Sequence, residues 1–405
     1  MNQPAAEHRP AFLDSFDDLP DPRLASRCAY PLQEMLLVAL CAIASDADDW
    51  VHVAEWGELK LDWLRRFLPF EGGIASHDTF SRLFAMLDAE RFGACFVAWM
   101  SQLCPTLAGQ SIAIDGKSVR GSHDGGTGMV HLVSAWHNGM GVTLGQVRTA
   151  AKSNEITAIP ELLDALDIAG ATITMDAMGC QREIVQQIVE RQGHYIIGLK
   201  NNQPTLAQAV EALFEPALCA SQTQLPQDIR LDKGHARLHQ RRCVVQTDLS
   251  SLGGELRQAW AGLQSVAMVE STREVIQGRD KAPATTEWRY YISSKVLDAS
   301  EFNRQIQAHW QIENSCHWVL DVSFDEDASR VRRHHGAENL ALLRRISLNL
   351  IKQDKAKGSI KVKRKRAAWS THYLEQLLGR ACPDEPAADQ PSQPAPPLTR
   401  NWWGG

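Results

Sequence analysis

The chain has 405 residues, of which 44% are hydrophobic and 22% charged, values typical of a globular protein with two domains or one large domain with additions. No apolar run is long enough to span a bilayer, and the N-terminal residues lack the basic-then-apolar order of a secretory signal, so we expect neither a membrane protein nor an exported one. Nine cysteines stand singly without a CxxC pair, which predicts reduced thiols in the cytosol rather than a disulfide framework or a zinc ribbon.

The net charge of -6 hides an asymmetry along the chain. Residues 1–100 carry 16 acidic and 8 basic side chains, whereas residues 330–366 carry 13 basic and 2 acidic ones. A basic block of this density attracts phosphate backbones whatever the total charge. A solvated basic helix and tail is the other interpretation, and charge alone does not separate the two.

Residues 1–105 have the periodicity of an all-helical domain. The stretch PLQEMLLVALCAIAS repeats apolar residues at helical spacing, and VAEWGELKLDWLRRFL follows it. In SHDTFSRLFAMLDAERF, Ser76 or Asp78 is placed to cap a short amphipathic helix. The periodicity predicts helices here and does not by itself indicate a role for the domain.

The next part of the chain alternates strands and helices. Three consecutive strands are predicted in QSIAIDG, MVHLVSAWHN and GVTLGQVRTA, then a helix, the strand ATITMD, a second helix and the strand HYIIGLK. This order predicts a mixed α/β sheet flanked by helices. Further strands are predicted in RRCVVQTD, SVAMVE and WRYYISS, before a helix that contains HWQIENSCHWVLDV.

Two predicted strands end in an aspartate, Asp115 and Asp176. In open α/β sheets, ligands gather at the carboxyl ends of strands, so both acids are candidates for one site. Aspartate is also a common turn former, and for either residue alone that is the better interpretation.

Glu313 lies in the helix that follows. At about 100° per residue it falls on one face with a set of mostly apolar neighbours: Phe302, Ile306, His309, Cys316, His317 and Leu320. A lone carboxylate buried there would cost several kcal/mol or take up a proton. A metal ion shared with Asp115 and Asp176 would resolve this cost, and a buried salt bridge would do so equally well.

Three carboxylates suit Mg²⁺ or Mn²⁺, and two such ions about 3.5–4 Å apart activate the attacking oxygen and stabilise the leaving oxygen of a phosphodiester. Zinc held by His309 and His317 is disfavoured because HExxH is absent. The run Asp325 to Asp327 is interpreted as a cap or turn, and Cys180 as a buried thiol.

Seven motifs stand in order along the chain: AIDGKSVRGS, TMDAMGCQ, GLKNNQ, GHARLHQRR, RYYISS, HWQIENSCHWVLDVSFDEDAS and NLALLRRISLNLIK. Together they resemble bacterial insertion-sequence DDE transposases of the H-repeat-associated group, over about Phe12 to Leu378. The resemblance implies an RNase H-like core with a β-rich insertion at about residues 213–285. It also implies that Asp115, Asp176 and Glu313 are the catalytic triad and hold two divalent ions.

Some positions depart from that family. Arginine is frequent where Gln307 stands, and glutamate where His239 stands. A tyrosine, an arginine and a lysine flank the glutamate in the broader group, where this chain has Ile306, His309 and Leu320.

The leading hypothesis is therefore a DNA transposase that cleaves strands at insertion-sequence ends and transfers them into target DNA. The predicted partners are the double-stranded terminal repeats and target DNA, with a homodimer in the synaptic complex and a cytoplasmic, nucleoid-associated location. Predicted DNA contacts are Lys117, Arg120, Lys152, Lys200, His235, Arg237, His309, Trp310, Arg330, Arg332 and Arg333. The alternatives are an RNase H-like nuclease that only hydrolyses and a catalytically inactive DNA-binding relic.

The predicted domain organisation has four parts. They are a helical domain at 1–105, the catalytic domain at 106–353, a basic segment at 354–380 and a disordered, proline-rich tail at 381–405.

Overall fold

The computed structural model describes residues 9–123, 128–149, 155–219, 225–234, 237–275 and 284–379. Five α-helices precede the first strand: α1 (Leu32–Ala44), α2 (Trp50–Leu59), α3 (Leu61–Leu64), α4 (His77–Met86) and α5 (Ala89–Leu103). The predicted all-helical N-terminal part is confirmed. Helix α1 is buried along nearly its whole length, as its almost uninterrupted apolar sequence requires.

In the described ranges, nine strands form one mixed sheet, in the order β3-β2-β1-β4-β5-β9-β8-β7-β6. The strands are β1 (Ser111–Val119), β2 (Val130–His137), β3 (Val142–Arg148), β4 (Thr172–Met175), β5 (His194–Leu199), β6 (Gln227–Gly234), β7 (Arg237–Gln246), β8 (Ser265–Val275) and β9 (Thr285–Ser293).

The first five strands have the RNase H-like arrangement. Strands β1, β2 and β3 form an antiparallel meander, and β4 and β5 join it in parallel beside β1. Helices α6 (Glu155–Ala165) and α7 (Arg182–Glu190) make the crossovers to β4 and β5. The predicted order of strands and helices, and with it the fold class, is confirmed.

The β-rich insertion extends the same sheet. Helix α8 (Pro204–Cys219) leads into β6, β7 and β8, with the short helix α9 (Gly254–Gln258) between the last two. Strand β9 then returns the chain to the core by pairing antiparallel with β5. The predicted insertion is thus a continuous antiparallel extension of the sheet that consists of β6 to β9 and begins beside β5. We call it the insertion wing.

The remaining helices follow the sheet: α10 (Ala299–His309), a π-helical segment (Glu313–His317), α11 (Trp318–Phe324), α12 (Gly336–Gln353), α13 (Ile360–Trp369) and α14 (Thr371–Gly379). Helix α12 is buried between the N-terminal helices and the sheet. Its Asn349 accepts a hydrogen bond from the backbone of Thr143 in β3, and its Ser347 donates to the carbonyl of Leu40 in α1. One apolar core therefore runs through both parts.

Part of the basic block at residues 330–366 is internal, so only its exposed members can attract phosphate backbones. Arg344, Arg345 and Arg364 are almost completely buried. Arg364 pairs with Asp46 at 3.3 Å and with Asp48 at 3.1 Å, so acids of the N-terminal part neutralise it. The charge asymmetry read from the sequence is partly a set of ion pairs inside the fold.

No helix in the described ranges is both long and apolar enough to cross a membrane. The predicted disorder of residues 381–405 concerns positions outside the described ranges. The division of the chain at residues 105, 353 and 380 stays a prediction.

Candidate active site

The register of two parallel strands brings Asp115 and Asp176 side by side. Ile114 of β1 is paired with Met175 of β4, and the two aspartates are the next residues on each strand. Neighbouring strands lie about 4.8 Å apart, so the two carboxylates start from adjacent points of the backbone. Asp176 follows the end of β4 and accepts a hydrogen bond from the backbone N–H of Met178 at 2.8 Å.

The prediction that Asp115 ends its strand is wrong. Strand β1 continues to Val119 because β2 still pairs with it, and Asp115 itself lies opposite Ser134. Only the pairing with β4 stops at this point. Asp115 is therefore held by a continuing strand, whereas Asp176 is held by a turn.

Glu313 supplies the third carboxylate, but it does not lie on the buried face that regular helical phase predicts. Its side chain is 57% exposed, while the neighbours predicted to share that face are buried or mostly buried. The helix is interrupted at Trp310, and Glu313 opens a π-helical segment that ends at His317. The interruption at Trp310 lies between Phe302 and Glu313, so the phase counted from Phe302 does not hold at Glu313.

His317 connects two of the acids. Its Nδ1 lies 3.0 Å from Glu313 Oε2 and 3.7 Å from Asp115 Oδ2. One ligand atom from each of the three residues lies within 4.8 Å of the others. Two carboxylates and an imidazole at this separation fit a divalent cation. Among the described residues this donor group contains His317 and not Asp176, whereas the sequence predicts Asp176 as the third ligand.

The electrostatics of the cluster also favour a cation. Burial raises the pKa of Asp115 to about 6, an effect that His317 opposes and that Glu155 and Asp176 reinforce. The pKa of Glu313 is lowered, mainly because His317 donates a hydrogen bond to it. Asp115 is thus an acid whose ionised form lacks full compensation from the protein, and a bound cation would provide it.

All three acids line one cavity of about 420 Å³. Lys200 lies on its wall, as do aromatic side chains of β9 and α10: Trp288, Tyr290, Tyr291 and Trp310. Trp310 is 43% exposed and stacks with the guanidinium of Arg289 at 5.4 Å. The cavity therefore combines acids on one side with aromatic and basic groups on the other.

His309 also lines the cavity but is not a charged phosphate contact. Its Nδ1 lies 3.1 Å from the hydroxyl of Thr174, and burial lowers its pKa to about 4, so the ring is neutral at physiological pH. Cys180 is a buried thiol, as predicted. Burial raises the pKa of this thiol to about 12.

Lys117 does not fit the predicted role of a DNA contact. Only 7% of its side chain is exposed, and its Nζ lies 2.6 Å from Asp321, 3.2 Å from Asp327 and 3.5 Å from Glu326. These three carboxylates neutralise the charge of Lys117, so the ammonium group is not available to a phosphate. Glu326 is itself fully buried and pairs with Arg345 at 3.0 Å.

The predicted cap or turn at residues 325–327 is therefore only part of their role. Asp325 has the left-handed conformation, with φ of 47°, and ends α11 as a turn residue does. Glu326 and Asp327 belong instead to an ion-pair cluster around Lys117.

The other predicted DNA contacts differ in position. Arg120 is 79% exposed and lies 3.4 Å from Asp327, and Arg332 donates a hydrogen bond to the carbonyl of Gly121. Exposed cations also include Lys200, Arg330 and Arg333. Lys152, His235 and the side chain of Arg237 lie outside the described residues.

The sequence reasoning missed the arginines of the insertion wing and the proximity of His317 to the acids. Arg241, Arg273 and Arg289 line a second cleft together with His239 and Gln307. Two of the departures from the family pattern, His239 and Gln307, therefore lie in one place. Alternation along β7 offered a signal, because His239 and Arg241 share a face with the buried Cys243.

Comparison with known proteins matches two family descriptions to this chain: "DDE_Tnp_1-associated" over residues 13–100 and "Transposase DDE domain" over residues 108–350. "Putative transposase YncI" of Escherichia coli O157:H7 is 39% identical over 374 residues, 91% of this chain and 94% of that protein. "H repeat-associated putative transposase YhhI" of Escherichia coli strain K12 is 37% identical over 372 residues, 90% of this chain and 97% of that protein.

Among solved structures, a cryo-EM structure of the piggyBac transposase synaptic complex with hairpin DNA aligns with a TM-score of 0.40 at 10% identity. That alignment covers 96% of this chain and 88% of the other. The family match spans more than half of the chain, and the sequence relatives match nearly all of it. The chain belongs to the DDE transposase family, whose members are enzymes that use divalent metal ions to cleave DNA and transfer its strands.

Proposed function

We propose that this transposase cleaves DNA at the ends of its own insertion sequence and joins the freed ends to target DNA, with Asp115, Asp176 and Glu313 as its catalytic triad. The observation that carries the proposal is the convergence of these three carboxylates on one cavity from three separate elements. Strand β1 provides the first, the turn after β4 the second and the π segment the third.

Asp115, Asp176 and Glu313 would hold two Mg²⁺ or Mn²⁺ ions, with His317 beside them. Such ions, when bound, activate the attacking oxygen and stabilise the leaving oxygen of a phosphodiester. The chain's own contribution is to fix the ligands. A continuing strand holds Asp115, and the backbone N–H of Met178 holds Asp176 in place.

His317 is the group that orients Glu313. Glu313 is half exposed and follows a break in the helix, so its side chain would otherwise sample several rotamers. The imidazole is 3% exposed, faces both carboxylates through Nδ1 and has its Nε2 buried without a hydrogen-bond partner in the described structure. With its proton on Nδ1 it donates to Glu313, and with its proton on Nε2 it offers a nitrogen ligand to a cation.

The partner is double-stranded DNA, first the terminal repeats and then the target. Exposed cations support this assignment, because phosphates need accessible positive charge. Lys200 lies on the cavity wall. Other exposed cations are Arg120, Arg330, Arg332 and Arg333. A homodimer that synapses two ends, a role of the N-terminal helices in end binding, and a cytoplasmic, nucleoid-associated location complete the proposal.

The test uses purified full-length protein, Mg²⁺ and end-labelled DNA that carries the inverted repeats flanking the gene. The parent protein should nick the repeat end and join it to a second duplex, whereas Asp115→Asn should do neither. Asp62→Asn is the matched control, because Asp62 is a fully exposed aspartate on α3.

Two results would contradict the proposal in different ways. Cleavage by Asp115→Asn at the parental rate would remove the triad assignment. Nicked product without any joined product would leave the triad in place and reduce the activity to hydrolysis.

A further inference from the structure

A second cleft, of about 410 Å³, opens on the insertion wing next to the catalytic cavity. Its lining residues are His239, Arg241, Ser271, Arg273, Arg289, Gln307 and Trp310. The pairing of β7 with β8 sets His239 opposite Arg273 and Arg241 opposite Ser271. Arg289 and Trp310 line both the cleft and the catalytic cavity, so the two spaces adjoin.

Two of the three arginines in the cleft have no acidic partner in the described part of the chain. The guanidinium of Arg289 lies 3.1 Å from the exposed carboxylate of Glu287 and forms an ion pair with it. Arg241 and Arg273 make no ion pair with any residue in the described part of the chain. The Nε of Arg241 is also buried and lacks an acceptor there.

A partly buried arginine without a carboxylate is costly unless an anion joins it. The pKa of Arg241 is lowered, mainly by burial; Tyr291 and Cys243 oppose this effect, and Arg289 and Arg230 make smaller lowering contributions. His239 adds no compensating negative charge, because it is an imidazole whose pKa is lowered by burial and by Arg273 and Arg241. This local environment favours an anionic ligand.

The spacing favours a chain of anions over a single one. Arg241 and Arg273 are separated by one strand spacing and two residues, about 8 Å in all. That span corresponds to about two to three base-pair rises along the axis of a DNA duplex. Guanidinium groups match phosphate oxygens in pairs, and the exposed Trp310 between the cleft and the cavity offers a face on which a base can stack.

We propose that this cleft binds successive backbone phosphates of the DNA strand that passes through the catalytic cavity, with Arg241 and Arg273 as the phosphate contacts. The inference rests on the proposed function, since it assigns a path to the same DNA. The insertion wing would thereby position the strand within a few nucleotides of the scissile phosphate.

The experiment measures binding of the full-length protein to a fluorescein-labelled duplex of the flanking repeat, in EDTA so that no cleavage occurs, over a series of salt concentrations. Each lost phosphate contact lowers the slope of log K against log salt by about 0.9. The double variant Arg241→Gln/Arg273→Gln should therefore lose about 1.8 from the slope. The variant Arg241→Lys should keep most of it, because the charge remains.

The matched control is Arg257→Gln/Arg304→Gln, which removes the same charge from exposed positions on α9 and α10 outside the cleft. It should keep the parental slope. An equal loss in the control, or none in the Arg241/Arg273 variant, would overturn the inference and leave the triad untouched. Absence of salt-sensitive DNA binding by the parent would instead contradict the proposed function.

A second measurement does not depend on the variants folding. Neutral methylphosphonates are placed one at a time along each strand of the repeat, and binding to the parent protein is measured. Two or more interfering positions within about four nucleotides of the cleavage site are expected. Interference confined to more distant positions would contradict the assignment.

Discussion

Two clusters of carboxylates lie on the same face of β1, two residues apart, and they have opposite character. Around Lys117, three acids pair with three cations, which are Lys117, Arg345 and Arg120; Lys117, Glu326 and Arg345 are almost fully buried. Around Asp115, the acids face an open cavity, and the imidazole of His317 lies within 3.7 Å of two of them. The first cluster is electrostatically complete within the chain, whereas the second requires a cation from solution.

The comparison indicates how acids of the same type come to serve either structure or catalysis. Carboxylates that are paired with cations of the chain hold segments of the fold in a fixed arrangement. Carboxylates without enough such partners repel one another until a cation binds between them. Lys117 on β1 donates hydrogen bonds to Asp321 of α11 and to Asp327 after it, and α11 directly follows the π segment that contains Glu313. The cluster around Lys117 therefore also supports the cluster around Asp115.

The largest expected effect tests the incomplete cluster. Asp115→Asn should lower the rate of strand cleavage at least about ten-thousandfold, or about 5 kcal/mol, because a catalytic carboxylate is lost. In EDTA the same variant should be more stable than the parent at neutral pH. Cleavage assays and chemical denaturation measure the two effects, and a destabilised variant would contradict this electrostatic account of Asp115.

The pH dependence follows from the same residue. The folded pKa of Asp115, about 6, lies above its usual value, so the folded state holds the proton more tightly than the unfolded state. Without metal, the stability of the parent should therefore fall as pH rises from about 4 to about 6 by more than that of Asp115→Asn. Denaturation curves at several pH values in EDTA would show this difference.

The complete cluster should respond through stability instead. Glu326→Gln leaves the buried Arg345 and Lys117 without a carboxylate between them, which should cost about 3 to 4 kcal/mol of unfolding free energy. Burial raises the pKa of Glu326, but Arg345 and Lys117 lower it by more. Its ion pairs are therefore fully present above its ordinary pKa and are lost as pH falls through the lower folded value.

A suitable control for that measurement is Glu301→Gln, which breaks an exposed pair with Arg304. Exposed pairs contribute at most about 1 kcal/mol, so the control should change the denaturation midpoint little. Equal destabilisation by both variants would remove the distinction between a buried and an exposed pair.

His317→Ala should produce an intermediate effect. Removal of a group that orients a metal ligand typically weakens metal affinity about tenfold to a hundredfold. His317→Asn should recover part of the loss, because an amide nitrogen can take the place of Nδ1 beside Glu313. Titration of the apoprotein with Mn²⁺ measures both, and unchanged affinity in His317→Ala would limit His317 to packing.

The smallest effect concerns Lys117 and Arg120, which stand close together on the chain but differ in exposure. Lys117→Met should leave the salt dependence of DNA binding unchanged, since that lysine is already paired inside the protein. Arg120→Gln should reduce the slope by about 0.9 if it contacts a phosphate. A larger slope change for Lys117→Met than for Arg120→Gln would reverse the assignment.

The fold was largely predictable because its signals are local. Periodicity identified the helix α1, the strands of the core and their order, and each of these depends on neighbouring residues alone. The acids were also identified, but Glu313 for a reason that the structure contradicts. The interruption of the helix at Trp310 is not visible in a pattern counted at a constant angle, so the predicted burial of Glu313 is wrong.

The remaining differences arise from contacts between distant parts of the chain. Lys117 and Asp321 are 204 residues apart, and Arg364 meets Asp48 across 316 residues. The sequence alone does not show which distant residue pairs with a given charge. It therefore predicts Lys117 as a DNA contact and includes Arg364 in a basic block that attracts phosphates. The cleft of the insertion wing likewise depends on cross-strand pairing, which sets His239 beside Arg273.

The most direct test of the difference between the two clusters is calorimetric titration of the apoprotein with Mn²⁺. The parent and Asp321→Asn should bind the ion with similar affinity, because Asp321 belongs to the complete cluster around Lys117. Asp115→Asn and Glu313→Gln should lose most of that affinity. Strong binding by Asp115→Asn together with loss in Asp321→Asn would place the metal in the other cluster and contradict the account.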